Sequence, residues 1–171
     1  MNNSNEHNKE EALEHLNMIT SLMSNLPGMA YRGKPDETRT MEFVSDGCFF
    51  LTGYTALSLI QNRDISYGEL IHPHERDYVL KHIKNALDDR KAFQIIYRIN
   101  SSGGEEKWLW EQGHGVFSSD GTLVGVEGFI NDITEHKMAD EALAMEKEQF
   151  RKGILDEEKI EKIGAFIGGI A

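Results

Sequence analysis

The 171-residue chain reads as an α+β protein: a five-stranded antiparallel sheet with short helices and one longer helix on one face, and an amphipathic helix at either end. Three observations predict this. Strand-like segments fall in two blocks, an early pair and a late trio, with helical spacing between them. Such segregation marks an antiparallel sheet with helices on one side rather than alternating βα units. Turns rich in Gly, Pro, Asp and Ser separate the strands, and both ends of the chain switch to helical periodicity with interleaved charge.

Taken in order, residues 1–9 are polar and read as a disordered N-terminus. Ala12, Leu16, Ile19, Met23 and Leu26 step by four and three, which predicts an amphipathic helix over 10–25, ended by "NLPG". "MEFVS" at 41–45 is a short strand, and the preceding "GKPDETR" is the turn of a hairpin. Residues 46–71 hold two or three short helical pieces broken by Gly53 and Gly68. "HPHERDYVLKHIKNALDD" is the clearest helix, with Pro73 in its first turn and Val79, Ile83 and Leu87 repeating every four residues. "AFQIIYRI", "EKWLWEQGHGVF" and "LVGVEGFIND" then form a meander turned by "SSGG" and "SSDG". From Thr134, a good N-cap, no proline interrupts the rest of the chain, and Leu143, Phe150, Ile160, Ile163, Ile167 and Ile170 fall largely on heptad spacing. Residues 135–171 therefore read as a coiled-coil helix that pairs with a second copy, and Leu16 and Ile19 extend the same expectation to the N-terminal helix.

Composition excludes several functions. A 39% apolar and 27% charged chain matches a globular domain, and no run nears the roughly 20 apolar residues of a membrane helix. The net charge of −11, without any Lys/Arg cluster, argues against nucleic-acid binding. Cys48 is the sole cysteine, so neither an internal disulfide nor a thiolate cluster is available, and no secretion signal opens the chain. A cytoplasmic location is the default expectation. GxSxG and GxxxxGK motifs are both missing, and no catalytic residue is expected in the chain.

Residues 22–134 resemble a PAS domain, a resemblance carried by "NLPGMAYR", "FVSDGCFFLTGY", "LIHPHERDYV", "WLWEQG" and "GFINDITEHK" in this order. The "LIHPxxR" and DIT elements resemble a subgroup frequent in bacterial and archaeal signalling proteins. The final "KIEKIGAFIGGIA" resembles the start of the dimerisation and phosphoacceptor helix of sensor histidine kinases, in which the next residue would be the phosphoacceptor histidine. The resemblance implies a PAS sensory domain over 26–134, a homodimer through the terminal helices, and a parent that phosphorylates a response regulator, with a membrane anchor in that parent left open. A PAS protein-interaction module, or the sensor of a diguanylate cyclase or other output enzyme, is the alternative.

The candidate ligand pocket lies between the sheet and the long helix. Phe43, Tyr97, Trp110 and Phe129 are its expected strand aromatics, Ile60, Ile83 and Leu87 its helix contributions, and Gln112 its polar group, with His114 on the same face as Trp108 and Trp110. These residues line a cavity for a small organic ligand or simply fill a core, and the sequence leaves both open. The light-sensing flavin relatives carry their cysteine after the "TGY" element, whereas Cys48 precedes it, so flavin is not expected. His72, His74 and His82 lack the placement of a haem or metal ligand. In the PAS resemblance, Asp132 and Thr134 of "NDIT" transmit a change in the sheet to the output helix.

Overall fold

In the computed structural model the described residues are 11, 13–15, 18, 19, 21, 23 and 26–168, with side chains described as far as Ile154 and again at Lys159. Two compact units divide the chain, Met1–Ile133 and Thr134–Ala171.

The first unit contains strands β1 (Met29–Gly33) and β2 (Met41–Val44), helices α1 (Cys48–Thr52), α2 (Ala56–Leu59), α3 (Tyr67–Leu70) and α4 (Arg76–Asp88), and strands β3 (Phe93–Asn100), β4 (Glu106–Phe117) and β5 (Leu123–Asp132). The strands form one antiparallel sheet in the order β2-β1-β5-β4-β3. This is the α+β architecture that the sequence predicts. Residues 11, 13–15, 18, 19, 21 and 23 are helical, within the expected 10–25 segment, while Leu16 lies outside the described residues.

Alternation decides which side chains reach the core. On β3, Phe93, Ile95, Tyr97 and Ile99 are buried while Gln94, Ile96 and Asn100 are exposed. The β3–β4 register pairs Tyr97 with Leu109 and Ile95 with Glu111, so the inward phase of β4 is Leu109, Glu111 and Gly113. On the other side Met29, Tyr31, Val126 and Ile130 complete the buried face, against which α4 packs Val79, Ile83 and Leu87.

Helix α4 starts at Arg76, three residues later than Pro73 suggests, because its preceding turn is held from elsewhere. The Glu75 carboxylate, at the N-cap position, accepts from the Arg98 backbone N–H and Nε at 2.7 Å each instead of capping the helix. Helix α3 owes its single turn to a capping box between Ser66 and Glu69, which sets Tyr67 fully buried.

The second unit is described by one helix, α5 (Thr134–Gly168), with Thr134 as its first residue rather than the residue before it. Leu143, Phe150 and Ile154 are exposed on it at 50%, 73% and 44%. The backbone at Ile160, Ile163 and Ile167 is helical, their side chains are not described, and Ile170 lies outside the described residues.

Candidate functional site

A charged pair sits where an apolar core is expected. Glu111, on β4 between β5 and β3, is 0% exposed, and Arg39, from the β1–β2 connection, is 7% exposed. Both terminal guanidinium nitrogens bind the carboxylate: Arg39 Nη1 donates to Oε2 at 2.9 Å, and Nη2 donates to Oε1. This two-pronged pairing is the strongest geometry open to an arginine and a carboxylate. Tyr31 donates its hydroxyl to Glu111 Oε1 at 2.5 Å, Tyr97 donates to Oε2 at 2.6 Å, and the Tyr67 and Tyr97 hydroxyls lie 2.9 Å apart. The Arg39 guanidinium also lies over the Tyr67 ring, 4.9 Å from its centroid.

Local sequence explains how Arg39 gets there. In "KPDETR" the Asp36 carboxylate accepts from the Thr40 backbone N–H at 2.9 Å and the Thr38 hydroxyl at 3.0 Å, while Lys34 N–H reaches the Thr40 carbonyl at 2.8 Å. Partial burial pushes Asp36 up, but the Thr40 and Thr38 donors outweigh it and hold the carboxyl below its ordinary value. The tight loop turns Arg39 into the left-handed region, with φ 54°. For a residue with a Cβ this costs about 1–2 kcal/mol, and the buried ion pair holds it there. Thr38 carbonyl accepts from Gly68 N–H at 3.0 Å, where a Cβ would come within 2.9 Å of that oxygen.

Burial, followed by the Glu111 charge, pushes the Tyr31 and Tyr97 phenols well above their ordinary value, and Tyr67 rises for the same two reasons. For Arg39 burial works downward, yet the charge of Glu111, then the two tyrosines, leaves the guanidinium higher than usual. These groups keep their protons across neutral pH. Their role is positional and electrostatic rather than proton exchange.

Beside this network a cavity of about 620 Å³ opens between the β1–β2 connection and α4. Tyr31, Arg39, Met41, Ile83, Leu87 and Val126 form its buried wall. Of the residues expected to line a pocket, Ile83 and Leu87 do so. Tyr97 belongs to the polar network behind the wall, and Ile60 packs half-buried against the core.

Phe43, Trp110, Gln112 and Phe129 do not join them. They occupy the opposite face of the sheet, together with Trp108 and His114, because the register gives the inward phase of β4 to the odd-numbered residues. Phe43 is 44% exposed there. The aromatic appearance of "WLW" suggested an inward phase, whereas Arg98 stacks on Trp108 at the surface, 5.2 Å from guanidinium to ring. Arg39, Glu111 and Tyr31, which sequence reasoning missed, replace Trp110 and Gln112 as the polar edge of the site.

Other single candidates fall elsewhere. Cys48 is buried, its Sγ 3.6 Å from the Tyr54 carbonyl, and burial aided by Asp46 pushes its thiol up to about 11. His72 lies 3.7 Å from Glu106, and His82 Nε2 lies 3.1 Å from the Gln94 carbonyl. At the exit of the sheet, Lys107 Nζ contacts the Asp132 carboxylate at 3.4 Å and donates to the Phe50 carbonyl at 2.7 Å, while Ile133 N–H binds the Trp108 carbonyl at 2.8 Å.

The profile of the PAS fold family matches residues 41–130, more than half of the chain. The chain belongs to the PAS-fold family. Similar proteins include an uncharacterized protein, y4lL, of Sinorhizobium fredii, 33% identical over 46% of this PAS chain. A methyl sulfide methyltransferase-associated sensor of Methanosarcina acetivorans is 31% identical over 60% of it. The PAS chain matches about a tenth of the length of each. Among solved structures, a sensory box histidine kinase/response regulator of Burkholderia thailandensis superposes with a TM-score of 0.61 and 26% identity, covering 80% of this chain and 98% of that one. No helix among the described residues of this PAS protein is long and apolar enough to cross a membrane.

Proposed function

We propose that this PAS domain is the sensor of a signalling protein of the sensor histidine kinase class. A small molecule in the cavity beside Arg39 biases the sheet, and the strand exit carries that bias into α5. The observation that carries this reading is that β4 touches both ends of the route. Glu111 holds the cavity-wall Arg39 on β4, and two residues earlier Leu109 pairs with Asp132 at the exit. Lys107 and the Trp108 carbonyl, on the same strand, engage Asp132 and Ile133. A displacement of Arg39 therefore acts on a strand whose other end is bonded to the residues leading into Thr134.

Switching of this kind requires two states whose free-energy gap differs with and without the ligand. The 26% identity to the Burkholderia sensory box histidine kinase/response regulator supports the kinase class, as does the heptad spacing of the terminal helix. In this reading the parent phosphorylates a response regulator, α5 pairs with its counterpart in a second copy, and the domain works in the cytoplasm. Asp132→Ala and Thr134→Ala in the full-length parent are expected to alter the ratio of kinase to phosphatase activity. Unchanged regulation in both variants would refute the transmission route.

A further inference from the structure

Arg39 carries its left-handed backbone between two threonines, and one side chain from another part of the chain holds both. Asn62, in the connection between α2 and α3, donates through Nδ2 to the Thr40 hydroxyl at 2.8 Å and to the Thr38 hydroxyl at 3.3 Å. Gln61 and Asn62 both have φ 55°, and two successive left-handed residues turn this connection back onto the β1–β2 loop. Gln61 N–H binds the Met41 carbonyl at 2.8 Å, which ties the two loops together beside the clamp.

The donor order in this cluster is not free. The Asp36 carboxylate, held below its ordinary pKa, can only accept, and it takes the single hydroxyl proton of Thr38. In the 3.0 Å contact between the Thr38 and Thr40 hydroxyls the proton therefore comes from Thr40. With both protons spent, the two hydroxyls accept only, so Asn62 has to present its NH2 group to them. Its Oδ1 is left closed off from solvent, with no hydrogen-bond partner among the described residues. Turning the amide over would exchange two made bonds for opposed acceptors, so the single unpaired oxygen is the smaller loss.

We infer that Asn62 is a positioning residue for the buried arginine: from the α2–α3 connection its amide clamps the residues on either side of Arg39, and so sets how easily the guanidinium lets go of Glu111. This rests on the reading of Arg39 as the moving part of the sensor, and it adds the α2–α3 connection to the cavity as a second point of control over that part. The amide acts through Thr38 and Thr40, at the backbone that the ion pair by itself would have to hold in the left-handed region.

Two substitutions separate the amide's donors from the backbone shape beneath it. Asn62→Asp keeps the size and the tolerance for positive φ but has no donor, and Asn62→Gly suits positive φ better and removes the side chain. In the whole chain, both are expected to speed hydrogen exchange at the Arg39 and Thr40 amides about tenfold, while the amides shared between β4 and β5 keep their protection. The guanidinium resonance that Arg39→Lys removes should show faster rotation of its terminal NH2 groups in nitrogen-15 NMR, since that rotation requires releasing Glu111. In the full-length parent the same two variants should shift the ratio of kinase to phosphatase activity in the direction taken by Arg39→Lys.

Unchanged local exchange and rotation in both variants, or protection lost equally in β4 and β5, would overturn the positioning role and leave the sensor reading standing. An effect of Asn62→Asp without one of Asn62→Gly would trace to repulsion from Asp36 and overturn it as well. A loosened Arg39 with regulation unaltered would instead overturn Arg39 as the moving part of the sensor, with the positioning role intact.

Discussion

Arg39 and Glu111 lie 72 residues apart in the chain, and the guanidinium of one grips both carboxylate oxygens of the other inside the domain. Neither residue has a local reason to be buried. A lone charge in that position would be expelled or neutralised, so each explains the other.

Removing one partner is therefore expected to cost far more than removing both. Glu111→Ala leaves a buried guanidinium uncompensated and should destabilise the domain by about 3–5 kcal/mol. The double variant Arg39→Met with Glu111→Leu should recover most of that loss. Urea denaturation of the three proteins measures it, and an additive double variant would contradict the pairing.

Alkaline pH should unfold the domain through its buried phenols. Tyr31, Tyr67 and Tyr97 are raised above their ordinary value of 10.0 in the folded state, so the folded protein holds protons that the unfolded chain releases. Their stabilising contribution is intact below pH 10 and declines as pH climbs above it toward the folded values. Phenolate absorbance from these three tyrosines should appear only together with unfolding.

Two glycines predict opposite signs. A Cβ at Gly128 would come within 2.4 Å of the Gln112 carbonyl oxygen and 2.8 Å of the Tyr31 ring, whereas one at Gly153 on α5 meets nothing within 4 Å. Gly128→Ala should lower stability by about 1–3 kcal/mol, since both sheet and Tyr31 must shift. Gly153→Ala should raise the helicity of α5, adding up to about 1 kcal/mol. Thermal melts followed by circular dichroism distinguish the two.

Oligomeric state tests the proposed pairing of α5. Leu143, Phe150 and Ile154 are spaced by seven and four and are all exposed in a single copy. Light scattering is expected to give a dimer for the whole chain and a weaker or absent dimer after removal of residues 135–171. A monomer in both would refute it.

Much of the fold was legible in short stretches. Phe93, Ile95, Tyr97 and Ile99 announce a strand with one buried face, and Val79, Ile83 and Leu87 announce the inner stripe of α4; all seven are buried. The site was less legible because its key contact is non-local. Glu111 looks like a solvent residue between Trp110 and Gln112, and Arg39 looks like part of a polar turn. The loop length decides it: Ser101 N–H bonds the Glu105 carbonyl, so three residues turn the hairpin and Tyr97 faces Leu109, whereas a four-residue "SSGG" turn would set Tyr97 opposite Trp108 and bring Trp110 inward.

The inward Glu111 also bears on how the sheet finds its alignment. A slip of one residue along β4 would turn Leu109 outward, draw Trp110 and Gln112 into the interior and strand Arg39 beside an amide. Apolar matching alone would tolerate that exchange, since tryptophan can fill a core as readily as leucine. The stranded guanidinium would not. The buried pair of charges thus proofreads the alignment of the strands, rejecting the near-miss arrangement more sharply than it strengthens the correct one.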